Sequence, residues 1–197
     1  MTLTTTSDWT YVRFEGATLV VDDCEFSGLS RGVEAGGPGT AVSITDSRFR
    51  STGAVIYSSA RATISRSHFT AGASGTAITS LMFGDGNTQV TVADSVISGG
   101  SIGLSALASF GTTSSNARLT VTGTTISGAT SAALRSNGAA AFSNAFISIA
   151  GSTVSDSAAP YVITGTSGGT ATITSRGNNH FNNNGAATGS LSPSGLQ

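Results

Sequence analysis

An eight-residue pattern recurs along the chain: an apolar residue, usually Ser or Thr, then Ile or Val, two residues often including Asp or Gly, a small residue, any residue, and Phe, Ile or Val. It reads LVVDDCEF from Leu19, VSITDSRF from Val42, ATISRSHF from Ala62, VTVADSVI from Val90, LTVTGTTI from Leu119 and ISIAGSTV from Ile147. A seventh copy, ATITSRGNNHF from Ala171, keeps the first half and then slips. The third positions, Val21, Ile44, Ile64, Val92, Val121, Ile149 and Ile173, are separated by 23, 20, 28, 29, 28 and 24 residues, which predicts short strands joined by loops of variable length.

A second apolar spot follows each full copy, at Val33, Val55, Ile78, Leu104, Leu134 and Val162, so one period holds about three strand signals. Between them lie turn-forming clusters, 35–39, 84–87 and 111–116, rich in Gly, Ser and Asn. Helical periodicity is nearly absent, and Asn137-Gly138 interrupts the Ala-rich stretch 131–146. The turn signals are not of the two-residue hairpin kind, so each strand is expected to pair with its own copy in the next period. That arrangement is a parallel β-helix, a solenoid with a strand spacing of ~4.8 Å.

Alternation assigns the faces. Within VSITDSRF, Val42, Ile44, Ser47 and Phe49 point inward, Ser43, Thr45 and Arg48 point outward, and Asp46 sits at a corner. The inward columns are uniform: Phe26, Phe49, Phe69, Ile97, Ile126 and Val154 form one, and Cys24, Ser47, Ser67, Ser95, Thr124 and Ser152 another. Hydroxyls beside a tight corner can satisfy backbone groups that would otherwise cost ~1–3 kcal/mol each. Cys24 takes a serine's place there and reads as a small buried thiol.

Composition narrows the function. Charged residues make up 10% of the chain, against ~25% in an ordinary globular domain. The net charge is −1 and every basic residue is Arg, so no polybasic surface exists for nucleic acid or anionic lipid. A single cysteine excludes an intramolecular disulfide, no zinc-ligand spacing is present, and neither a metal nor a cofactor is expected. No apolar run approaches the ~20 residues of a membrane span, and residues 1–10 lack the charged and apolar regions of a signal peptide.

With the repeat in view, the pattern I-x-x-S-x-F/I followed by a Gly-containing turn and a third short strand resembles the right-handed parallel β-helix superfamily, the pectate-lyase-like repeat. The resemblance covers roughly residues 17–185 and implies an all-β, right-handed parallel β-helix of about six to seven coils. Residues 1–16, with Trp9, Tyr11, Val12 and Phe14, are expected to form a partial coil, and 186–197 a polar tail. Further chain or a partner is expected against the ends. Within the superfamily, the Ser/Thr/Gly-rich, Lys-free composition looks most like passenger domains of autotransporter adhesins. This implies a non-catalytic, extracellular or cell-surface module for adhesion or self-association.

The alternative is a polysaccharide-active enzyme or carbohydrate-binding β-helix. The resemblance would put its acids on the outer face of the strand column containing Val33, Val55, Ile78, Leu104, Leu134 and Val162. Glycoside hydrolysis needs a carboxylate pair, and Glu34 is the only acid found near that column. Charge gathers instead at the other corner: Asp23, Asp46, Arg66 and Asp94 in one column, and Glu25, Arg48 and His68 in the next outward one. Asp and Gly suit a left-handed corner, a rule Arg66 does not fit, while Glu25 beside Arg48 suggests a cross-strand ion pair. The candidate ligand-binding strip is Asp46, Arg48, Arg66 and His68, with a glycan or host-surface ligand as its partner. Two outward hydroxyl columns resemble ice-binding arrays, a minor alternative: Ser43, Thr63, Thr91, Thr120, Ser148 and Thr172, beside Thr45, Ser65, Ala93, Thr122, Ala150 and Thr174. The 84–87 turn resembles a calcium-binding repeat, but as a single copy it reads as a loop.

Overall fold

The computed structural model describes residues 2–4, 10–28 and 31–193, with side chains from Val12 to Ser192. Trp9 and the Tyr11 side chain lie outside the described residues. The chain is all-β: three parallel sheets stack as a β-solenoid of about six turns. Sheet I comprises Thr18–Asp22, Ala41–Thr45, Arg61–Ser65, Gly86–Ala93, Ser115–Thr122, Ser143–Ala150, Thr170–Ser175 and Ser192–Pro193. Sheet II runs from Thr2–Thr4 through Glu25–Ser27, Arg48–Arg50, His68–Ala71, Val96–Gly99, Thr125–Ser127 and Thr153–Ser155 to His180–Asn182. Sheet III holds Thr10–Glu15, Arg31–Gly36, Ala54–Tyr57, Thr76–Phe83, Ile102–Ser109, Ala132–Gly138 and Tyr161–Gly165.

The alternation read from sequence sets the core. In Gly86–Ala93, Val90 and Val92 are buried while Gln89 and Thr91 are exposed. Phe26, Phe49 and Phe69 stack as consecutive rungs, with ring centroids 4.7 and 4.3 Å apart and planes within 17° and 9°. Ile97, Ile126, Val154 and Phe181 continue the column in register. Gly32 makes room for this stack, because a Cβ there would come within 2.9 Å of the Phe49 ring.

Beside the aromatic column runs the hydroxyl ladder. The backbone N–H of Ser47 donates to Ser67 Oγ at 3.1 Å, and that of Ser67 to Ser95 Oγ at 3.2 Å. Each hydroxyl donates in turn to the carbonyl two residues before it: Ser47 to Thr45, Ser67 to Ser65, Ser95 to Ala93, Thr124 to Thr122 and Ser152 to Ala150, at 2.7–2.9 Å. In the seventh coil Asn179 takes the place, its Oδ1 accepting from Ser152 N–H at 3.0 Å. A second ladder stands at the next corner, where Ser157 Oγ accepts from Ala129 N–H and Asn184 Oδ1 from Ser157 N–H.

Two registers differ from the sequence reading. On sheet III the inward column is Val12, Val33, Ala54, Ile78, Leu104, Leu134 and Tyr161, so Val55 and Val162 are displaced by one residue and face outward. Both lie in runs apolar on either face, AVIY and YVIT, where alternation carries no sign. In the seventh copy, Ile173 stacks on Ile147 rather than Ile149, which puts Thr174, not Thr172, beside Ser148. A shift of two residues preserves every facing, so the alternating pattern is blind to it. Beyond it, Thr188 bridges to Val162, and Ser192–Pro193 pairs with Thr174–Ser175.

Phe49→Ala is expected to destabilise the fold by ~3–5 kcal/mol through loss of its stacked contacts. Ser67→Ala should cost ~1–3 kcal/mol by orphaning a buried N–H, and Ser43→Ala no more than ~0.5. Urea unfolding midpoints of the three variants check the order; equal loss in Ser43→Ala would refute the face assignment.

Candidate functional site

The corner between sheets I and II follows the same local rule in successive coils. Asp23, Asp46, Arg66 and Asp94 have φ between +47 and +49°, and Gly123 and Gly151 continue the column at +56 and +55°. The left-handed conformation lets each corner N–H reach the next coil, as Asp46 does to Ser65 O at 3.3 Å and Arg66 to Ala93 O at 3.2 Å. Arg66 holds the same corner geometry although it is not one of the residue types that favour the left-handed conformation.

What holds Arg66 is a fork. Its Nε donates to Asp46 Oδ1 at 2.9 Å and its terminal nitrogen to Oδ2 at 2.7 Å, a bidentate pair across one coil step. The guanidinium hydrogen bond holds the Asp46 carboxyl below the usual carboxylate range and raises Arg66 in return. Both side chains are about half exposed, so the fork orients two groups without adding much stability.

The outward neighbours on sheet II behave differently. Glu25, Arg48 and His68 are in register on successive strands, yet Glu25 pairs diagonally with Arg50, at 2.9 Å from Nε, rather than with Arg48. That corrects the expected Glu25–Arg48 pair. Arg48 and His68 have no ion pair among the described residues. They form a wall shared by two shallow hollows. One, of about 420 Å³, also takes in Asp46, Arg66 and Cys24; the other, of about 400 Å³, takes in Arg50 and Thr70. All four strip residues named from the sequence therefore border one hollow.

Cys24 opens onto that hollow as well. It keeps its ladder place, its N–H donating to Ser47 Oγ at 3.2 Å and its thiol to Asp22 O at 3.2 Å, but it is half-buried rather than buried.

Sheet III carries a polar group that the sequence columns missed. Tyr57 OH donates to Glu15 Oε1 at 2.7 Å, Arg13 lies 3.5 Å from the same oxygen, and Arg31 pairs with Glu34 at 2.9 Å. The missing signal was Gly36, stacked between Glu15 and Tyr57 in register; a Cβ there would strike the Tyr57 ring at 2.5 Å. Tyr57 and Arg13 hold the Glu15 carboxyl below its ordinary range. A glycosidase general acid needs its pKa held up, so Glu15 is set for charge pairing rather than proton donation. The 84–87 turn also spends its carboxylate internally: Asp85 Oδ1 accepts from the N–H groups of Thr112, Thr113 and Ser114 at 2.8–3.0 Å. Among the described residues, no three His, Cys, Asp or Glu side chains cluster as metal ligands.

Comparison with protein-family models, with curated proteins and with solved structures gives no match for this chain. The reading of the site rests on its own residues.

Two outcomes test this geometry. Replacing Arg66 by Ala should raise the Asp46 carboxyl pKa toward its ordinary value, followed by NMR of the side-chain carboxyl carbon; an unmoved titration would mean the fork does not persist in solution. Cys24 should react with a small maleimide in the native state faster than global unfolding allows, and protection matching full unfolding would place the thiol inside.

Proposed function

We propose that the chain is a non-catalytic, extracellular surface module that adheres to acidic glycans through Asp46, Arg48, Arg66 and His68. The observation that carries the reading is the Arg48–His68 wall. It places two nitrogen-bearing side chains, without ion-pair partners among the described residues, in register on adjacent strands ~4.8 Å apart, between two open hollows. Of the charged residues bordering these hollows, Asp46 is paired with Arg66 and Glu25 with Arg50, while Asp23 stands at the corner with no ion pair among the described residues. Arg48 presents a planar fork suited to a carboxylate or sulfate, His68 a second polar contact, and the fixed Asp46–Arg66 pair an edge that orients sugar hydroxyls. Shallow hollows on a rigid sheet favour a chain lying across the surface over a small molecule enclosed in a pocket. The resemblance of the repeat to pectate-lyase-like β-helices, and of the composition to autotransporter passenger domains, supports adhesion and a cell-surface location. Against an enzyme reading stand the depressed Glu15 carboxyl and its engagement by Tyr57 and Arg13.

Titration calorimetry with oligogalacturonate and with a heparin hexasaccharide separates carboxylate from sulfate recognition. At least one should bind, weakening as salt rises. Arg48→Ala should lose ~1–3 kcal/mol of binding, the range for a charge-assisted hydrogen bond, with the melting temperature unchanged. Failure of both probes, or full affinity in both Arg48→Ala and His68→Ala, would overturn the assignment.

A further inference from the structure

The corner between sheets III and I exposes aromatic side chains in the middle coils. Phe83 and Phe110 are 60% and 66% exposed, their ring centroids 4.9 Å apart and tilted by 49°. Phe142, on the same corner one coil further, is 59% exposed. Phe110 and Phe142 sit at φ +58 and +61°. Every other described non-glycine residue at positive φ is Asp, Ser, Asn or Arg66, so a bulky apolar side chain is here kept in a conformation the fold elsewhere gives to small or polar ones. Neither core packing nor turn chemistry accounts for Phe110.

The loop carrying Phe110 is fastened. Asp85, from the preceding coil, accepts the three loop N–H groups named above and the Thr112 hydroxyl at 2.6 Å. These bonds hold its carboxyl far below the ordinary range. Gly111 permits the closure, since a Cβ there would come within 2.7 Å of Ser115. Phe110 is thus held on a braced loop against Phe83 at the end of strand Thr76–Phe83.

The surroundings decide what fits. Across the corner segments 83–88, 109–117 and 139–146, Asp85 is the single charged residue, and its carboxylate is engaged by the loop. Neutral donors and acceptors line the sheet I side: Asn144 Nδ2 donates to Asn116 Oδ1 at 3.1 Å, and Asn116 Nδ2 to Ser114 Oγ at 2.7 Å, leaving further amide capacity on each. Three rings open to this extent offer on the order of 400 Å², about half the ~800 Å² per partner of a stable protein interface. Arg118, two residues beyond Asn116 on the same outward face, lies over the Phe146 ring at 4.7 Å, so this neighbouring cation is engaged by an aromatic face rather than presented to an anionic lipid headgroup. We infer that the Phe83–Phe110 pair, braced by Asp85, is a stacking platform for the apolar face of a pyranose in a neutral glycan, with Asn116 and Asn144 taking its hydroxyls. The platform is separate from the Arg48–His68 wall and stands whether or not that wall binds acidic sugar.

Cellohexaose, xylohexaose, mannohexaose and N-acetylchitohexaose, each titrated into the full chain and followed by saturation-transfer NMR and calorimetry, test the inference. At least one should bind. Phe110→Ala should weaken it tenfold or more, and Asp85→Asn several-fold although both rings remain. Phe110→Asn should melt at a higher temperature than the parent, because Asn tolerates this backbone, yet lose the sugar. Arg48→Ala should leave neutral-sugar affinity unchanged, which keeps the two sites distinguishable. Absence of binding by all four sugars, or undiminished affinity in a folded Phe110→Ala variant, would overturn the platform. So would sedimentation showing that Phe110→Ala abolishes self-association without affecting sugar.

Discussion

Five successive coils of this solenoid depend on the Ser or Thr hydroxyl that turns inward just past the corner between sheets I and II. A tight corner leaves the backbone N–H of the residue just past it without a sheet partner, in the interior of the coil. One Ser or Thr side chain on the next coil accepts from it, and anchors itself by donating to the carbonyl two residues behind, which also accepts the corner N–H of the coil before. Left unmet, that N–H would cost more than most single apolar contacts return. The left-handed corner residue, the Phe stack and the outward display of Arg48 and His68 all take their position from that rung.

The rung also explains where charge can sit. The corner residue immediately before it must accept φ near +47°, and its side chain then points away from the core. Asp46 and Arg66 occupy that position on adjacent coils, so their fork follows from backbone geometry. Two residues beyond the corner, Arg48 and His68 lie on short, regular strands that fix their spacing. The candidate site is therefore built on sheet and corner, and its rigidity comes from repetition.

Much of this was legible in the chain. The inward Phe and hydroxyl columns, the outward strip of Asp46, Arg48, Arg66 and His68, and the parallel stacking all follow from a period-two pattern repeated at loop-separated intervals. What was not legible has physical causes. Val55 and Val162 lie in runs apolar on both faces, and the slip of Ile173 by two residues leaves the alternation intact. The diagonal choice of Arg50 by Glu25 depends on side-chain reach, which register does not encode. The Phe83–Phe110 contact and the Asp85 brace arise from loops of unequal length meeting across coils, and only the folded corner brings them together.

Because Ser47, Ser67, Ser95 and Ser152 each accept from the N–H of the coil before and donate to the carbonyl two residues behind, these rungs do not identify which coil they belong to. Whole periods are then interchangeable units. A gene could gain or lose one complete turn and still present matched rungs at the new junction, whereas a half-turn would break the ladder. Length becomes a free variable for evolution, and with it the distance between the charged strip of the early coils and the aromatic corner of the later ones.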